Sequence, residues 1–213
     1  MAITTYLDSS GHKWPFESDW SRSQRRLYHR SLSGVEFHRR RGHRLRFMTL
    51  TSGPDSPEDL HHSFRVLVKR IRRKFEVFEY VSVREWNERG DLTHIHLIYW
   101  GRYIPFKWLK AVWEEVHKAK SVYIQDASRW KKKRLASYLV KYLVKAPFGR
   151  FFYSWRWLWR GFVQDWRALQ WKYGPQALGI WHMKLVFWTP KVPFRVLLLD
   201  GLIFGTPSLK APH

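Results

Sequence analysis

The 213-residue chain contains no cysteine. That excludes disulfides, thiolate zinc sites and cysteine nucleophiles, and it says little about compartment. Acidic residues are scarce: 17 Asp and Glu stand against 39 Lys and Arg, for a net charge of +22. A field of that size and sign points to a polyanion, either nucleic acid or an anionic membrane surface. Long apolar runs are also missing. The longest late one, Val196 to Gly205, is short and broken by Asp200, so no transmembrane helix is expected. Met1 to Ser10 has no apolar core of signal-peptide length, which leads to the expectation of a soluble, cytoplasmic protein with no membrane partner. No Gly-x-x-x-x-Gly-Lys-Ser/Thr phosphate loop occurs, so no helicase activity is expected of this chain.

Aromatic residues are abundant: fourteen Trp, fourteen Phe and ten Tyr. Rings set among Lys and Arg suit single-stranded nucleic acid, where bases stack and phosphates pair, although any single ring is more often core. With 45% apolar residues, the chain can bury the core of one sizeable domain, or of a domain plus an appendage.

Hydrophobic periodicity predicts an α+β fold. Residues 1–43 read as a basic N-terminal arm carrying Arg22, Arg25, Arg26, Arg30, Arg39, Arg40 and Arg41. Such an arm is either solvated or orders on nucleic acid. Residues 44–189 read as the main domain, and 190–213 as a Pro-containing tail. Within the domain, strands are expected over 44–51, 77–86, 93–99 and 121–126. Helices are expected over 58–75, 105–118 and 129–145. A Trp-rich helix should follow, ending at Gly174-Pro175, and then a strand from Ile180 to Trp188.

Two stretches carry chemistry. In Thr93-His94-Ile95-His96-Leu97-Ile98-Tyr99, strand alternation puts Ile95, Leu97 and Tyr99 on one face and both imidazoles on the other. Two such imidazoles can grip one divalent ion. If Arg89-Gly90 is a two-residue hairpin loop, Glu85 lies directly across from His94 and adds a carboxylate to that face. A slip of one residue would remove it. The second stretch is Tyr138-Leu139-Val140-Lys141-Tyr142. On a helix, Leu135, Ala136, Leu139, Val140, Leu143 and Val144 fill one arc, while Tyr138, Tyr142, Lys141 and Lys145 share the opposite one. A phenol is a poor nucleophile unless a cation or base favours the phenolate, and the two lysines supply cations. Metal donors on a strand and tyrosines on a helix together suggest phosphodiester chemistry through a tyrosine nucleophile.

At these residues the chain resembles a family. Gly90-Asp91-Leu92-Thr93-His94-Ile95-His96 looks like the metal motif of the HUH endonucleases, the rolling-circle replication initiators. Phe47-Met48-Thr49-Leu50-Thr51 looks like their first motif, and Tyr138-Leu139-Val140-Lys141-Tyr142 like their third. The doubled tyrosine is most similar to the two-tyrosine initiators of small phages and plasmids. The resemblance implies a central antiparallel sheet of about five strands, ferredoxin- or RRM-like, with helices on its outer face and the His strand central. It implies His94, His96 and Glu85 as ligands of Mg²⁺ or Mn²⁺, Tyr138 as first nucleophile, Tyr142 as its partner and Lys141 as the assisting cation. Arg44, Arg46, Lys131, Lys132, Lys133 and Lys145 are the expected nucleic-acid contacts. The implied activity is nicking and joining of single-stranded DNA at a replication origin or hairpin through a 5′-phosphotyrosine, in a host cell whose helicase and polymerase do the rest.

Other readings stay open. A transposase or mobilisation relaxase would share the His strand and the tyrosine helix. A non-catalytic single-strand binder would explain the charge and aromatics, but not His94, His96, Glu85 and the paired tyrosines. A basic packaging protein would explain the charge alone.

Overall fold

The computed structural model describes residues 3–7, 13–17, 22–57, 59–86, 92–130, 135, 136, 138, 139, 141, 142, 151–174, 177, 180, 181 and 184. The expected turn at 87–91 and tail at 190–213 lie outside them, as do Lys131, Lys132, Lys133 and Lys145. The chain divides into two compact units, residues 23–158 and residues 1–22 with 159–213, rather than at 43 and 189. Among the described residues no helix is long and apolar enough to cross a membrane.

The larger unit is α+β. Its sheet is formed by β3 (Leu45–Thr51), β4 (Phe78–Trp86), β5 (Leu92–Gly101), β6 (Val122–Asp126) and β7 (Phe151–Tyr153), in the order β6-β3-β5-β4-β7 with β5 central. Every pairing is antiparallel. Alternation sorts each strand into two faces. Met48, Leu50, Ile95, Leu97 and Tyr99 point to one, where they meet α2 (Leu60–Phe75) and α3 (Phe106–His117). The stripe Leu60, Phe64, Leu67, Val68 and Ile71 of α2 is buried there, together with Leu109, Val112 and Trp113 of α3. Asp59 caps α2 by accepting from the His62 N–H at 2.8 Å, and the Trp113 indole N–H donates to the Thr51 carbonyl at 2.9 Å, pinning α3 to the end of β3. Each fully buried Leu on this face contributes about 1.5–3 kcal/mol. Gly101 ends β5 where a Cβ would collide with the Val77 carbonyl oxygen, so a side chain there would push β4 and β5 apart.

Helices cover the other face as well, not one face only. Residues 22–40, expected as part of an arm, form the 19-residue helix α1 (Arg22–Arg40). Leu27, Ser31, Gly34, Val35 and His38 fall at helical spacing and are buried. The His38 ring stacks on Trp100 of β5 at 5.1 Å and tilts against Trp157 at 4.9 Å. Gly34 lets the Trp157 indole reach the helix, since a Cβ there would run into the ring. The Trp157 N–H then donates to the Arg30 carbonyl at 3.1 Å. Several arginines of the supposed arm are used internally. Arg39 donates to the carbonyls of Ala127, Ser128 and Trp130, tying α1 to the loop after β6. Arg40 pairs with Glu36 at 2.5 Å, and Arg30 lies 4.5 Å from the Tyr153 ring centroid.

Positions 135, 136, 138, 139, 141 and 142 are helical and mark the tyrosine helix, α4. Leu135, Ala136 and Leu139 are fully buried, Tyr138 and Tyr142 half-buried, and Lys141 exposed, as the helical wheel requires.

The Trp-rich stretch is not one helix. Phe151–Tyr153 is strand β7, Trp155–Trp157 a 3-10 turn, and α5 runs from Phe162 to Tyr173 after Gly161 at φ 89°. In the smaller unit, Trp181 is fully buried among Trp159, Phe162 and Trp166. Positions 180, 181 and 184 are helical where the sequence predicts a strand. Trp155 and Trp171 are about nine-tenths exposed, so the segment leaves two indoles in solvent. That unit also holds the antiparallel pair β1 (Ile3–Leu7) and β2 (Lys13–Glu17).

Candidate active site

The site grows out of the register of three strands. Glu85 of β4 pairs with His94 of β5, and Val83 with His96. On the other side of β5, Thr49 pairs with His96 and Thr51 with His94. Directly opposed residues share a face, so Glu85, His94, His96, Thr49 and Thr51 form one polar patch opposite the apolar core. The pairing of Glu85 with His94 is the one a two-residue loop at Arg89-Gly90 requires, and the ladder becomes irregular only beyond it, between Glu85 and Trp86.

Each imidazole is held by a threonine. His94 Nδ1 lies 3.0 Å from Thr51 Oγ1, and His96 Nδ1 lies 3.0 Å from Thr49 Oγ1. A partner on Nδ1 fixes ring orientation and aims Nε2 away from the strand, as in metal-ligating histidines. Sequence reasoning takes Thr49 and Thr51 only as the end of a hydrophobic strand. The available signal is that β3 alternates, with Thr49 and Thr51 two residues apart like His94 and His96.

His96 Nε2 meets Glu85 Oε2 at 2.8 Å, and both side chains are buried. Tyr142 stacks on the His96 ring at 3.6 Å between centroids, 18° from parallel. Its hydroxyl donates to the Tyr138 hydroxyl at 2.7 Å. Tyr138 in turn packs edge-on against Phe47 at 5.0 Å and Trp130 at 5.7 Å. Burial, the hydrogen bond to Tyr138, and the charges of Tyr138 and Glu85 together push the Tyr142 phenol above its ordinary value. Tyr142 is therefore the poorer source of a phenolate in this arrangement.

The structure thus brings Glu85, His94, His96, Tyr138 and Tyr142 together. It does not bring Arg46, which lies on the opposite face, donates to the Gly101 carbonyl at 3.1 Å and packs toward Tyr99 and Tyr103. Arg44 is exposed just before β3, and Lys141 is exposed on α4. Two imidazoles and a carboxylate are donor chemistry that suits a divalent ion, and the Nδ1 partners fit that use. Among the described residues, however, no three His, Asp or Glu groups converge on a common point. Glu85 is turned onto His96 Nε2 instead.

Residues 45–147 match the family model for replication-associated protein of the ORF2 type, a span that contains every residue of this site. No curated protein and no solved structure gives a significant match.

Proposed function

Residues 45–147 belong to the Rep-type family of rolling-circle replication initiators, and on that premise we propose that this chain nicks and rejoins single-stranded DNA through a tyrosine. The observation that carries the reading is the stack of Tyr142 on His96 with Tyr142 bonded to Tyr138, which sets two phenols against the Glu85–His96 pair.

Glu85, His94 and His96 would hold a divalent ion, Mg²⁺ or Mn²⁺, once Glu85 turns from His96 Nε2. Such an ion polarises a phosphoryl oxygen and neutralises charge on the phosphate. Thr49 and Thr51 keep the imidazoles oriented. Tyr138 is the nucleophile of the first nick. Its oxygen bonds to phosphorus, the bond from phosphorus to the 3′ oxygen breaks, and that oxygen leaves with a proton as a free 3′ hydroxyl. The 5′ phosphate stays on Tyr138. Lys141, exposed three residues on, offers its cation to the phosphate. Tyr142 holds Tyr138 in place and serves the second transfer. Without a phosphate-loop motif in the chain, unwinding and synthesis fall to a host helicase and polymerase acting on the same DNA.

The test is a labelled single-stranded origin oligonucleotide incubated with the full chain. Cleavage with a covalent protein adduct is expected in Mn²⁺ or Mg²⁺ and is expected to stop in EDTA. Cleavage at full rate in EDTA would remove the metal from the account.

A further inference from the structure

One register row crosses the whole sheet. Tyr123 of β6 pairs with Thr49 of β3, Thr49 with His96 of β5, His96 with Val83 of β4, and Val83 with Phe151 of β7. Opposed residues share a face, so both edge strands place an aromatic residue on the site face at the level of His96. Neighbouring strands lie about 4.8 Å apart, which sets each ring about 10 Å from His96, on opposite sides.

The core needs neither ring there. On β6, Ile124 packs against the apolar core on the far face, while Tyr123 is 50% exposed and its hydroxyl donates to the neighbouring Gln125 at 2.9 Å. On β7, Phe152 takes the far face, edge-on to His61 at 4.9 Å. Phe151 remains half-buried on the site face, with the Arg30 guanidinium 5.7 Å from its centroid and Tyr153 stacked at 6.5 Å. An exposed ring at one edge, and a ring beside a cation at the other, are the two elements of single-strand binding. The net charge of +22 favours a polyanionic occupant.

We propose that Tyr123 and Phe151 are base-stacking positions for single-stranded DNA laid across the strands, one on each side of the phosphate presented to His96. This rests on the nicking function above and deepens it: the strand runs from β6 to β7 over the histidines, and specificity begins with the two stacked bases.

The experiment measures anisotropy of a fluorescent single-stranded oligonucleotide in EDTA, with single abasic positions scanned along it and cleavage followed in parallel in Mn²⁺. Tyr123→Leu should weaken binding about five- to 100-fold, the scale of one lost base stack, whereas Tyr123→Phe should bind like wild type. The wild type should lose affinity at one abasic position to which Tyr123→Leu is indifferent. Phe151→Leu should be indifferent to a different position, on the opposite side of the cleaved bond. Unchanged affinity and abasic profile in Tyr123→Leu, with the fold intact by circular dichroism, would overturn the proposal. One shared position for both variants would overturn the row geometry. A wild type that binds with this profile and never cleaves would instead count against nicking alone.

Discussion

The two faces of the central sheet are made from the same strands and differ in almost everything else. In β5, Ile95, Leu97 and Tyr99 are buried against α2 and α3, while His94 and His96, one residue out of step, face Thr49, Thr51 and Glu85. The far face has apolar packing and no chemistry. The near face is a chain of polar contacts from threonine to imidazole to carboxylate, closed by a tyrosine ring. The core therefore sets the register on which the site depends, because a slip of one residue in β5 would exchange the faces. Stability should track the far face and activity the near one.

Breaking that comparison from each side gives the largest effects. His96→Ala should lower nicking by at least about 100-fold, since it removes a metal donor and the imidazole that Glu85 bonds. Salt-sensitive DNA binding should persist in filter-binding assays. Leu97→Ala, the next residue along, should cost about 2–5 kcal/mol in urea unfolding. Its nicking rate per folded molecule should stay near wild type. Equal losses of activity and stability in both variants would show that the faces are not separable.

A smaller effect sharpens the near face. Thr49→Val keeps shape and deletes the hydroxyl at His96 Nδ1. Activity should fall about 10- to 100-fold with a raised metal requirement, read as the Mn²⁺ concentration for half-maximal cleavage. A variant as active as wild type at limiting Mn²⁺ would make the threonine a packing residue only.

How much of this the sequence shows follows the same division. Far-face residues alternate cleanly with polar ones, so strands 44–51, 77–86, 93–99 and 121–126 are legible to within one or two residues. The Glu85–His94 pairing follows from one assumed turn. Thr49 and Thr51 are not legible, because their role depends on which strand lies beside β5, which the chain order does not state. Helix α1 is hidden because its buried stripe includes Ser31, Gly34 and His38 beside Leu27 and Val35, in a segment dominated by arginine. The run from Ile180 to Trp188 reads as a strand, but a short apolar run fits a buried helix equally well, and residues 180, 181 and 184 are helical.

The smallest expected effect lies at the α1–sheet contact and is pH-dependent. Burial, then the neighbouring His43, lowers His38 from the ordinary histidine value to about 3. Folded His38 stays neutral while the unfolded chain takes up a proton below about pH 6.5. The unfolded state then binds more protons, so stability falls as pH drops from about 6.5 towards 3 and is unaffected by this group above that window. His38→Phe, which keeps a ring between Trp100 and Trp157, should flatten the slope of urea midpoint against pH. It should not abolish the slope, because burial also lowers His43, His61 and His117. An unchanged slope would remove His38 from the acid response.

The central claim is that the near face presents Tyr138 to the phosphate while Tyr142, stacked on His96 and bonded to Tyr138, waits. Mass spectrometry of the peptide linked to DNA after one nicking event in Mn²⁺ reads this directly. The account predicts a nucleotide adduct on Tyr138, absent in Tyr138→Phe and still formed in Tyr142→Phe. An adduct confined to Tyr142, with Tyr138→Phe fully active, would contradict it.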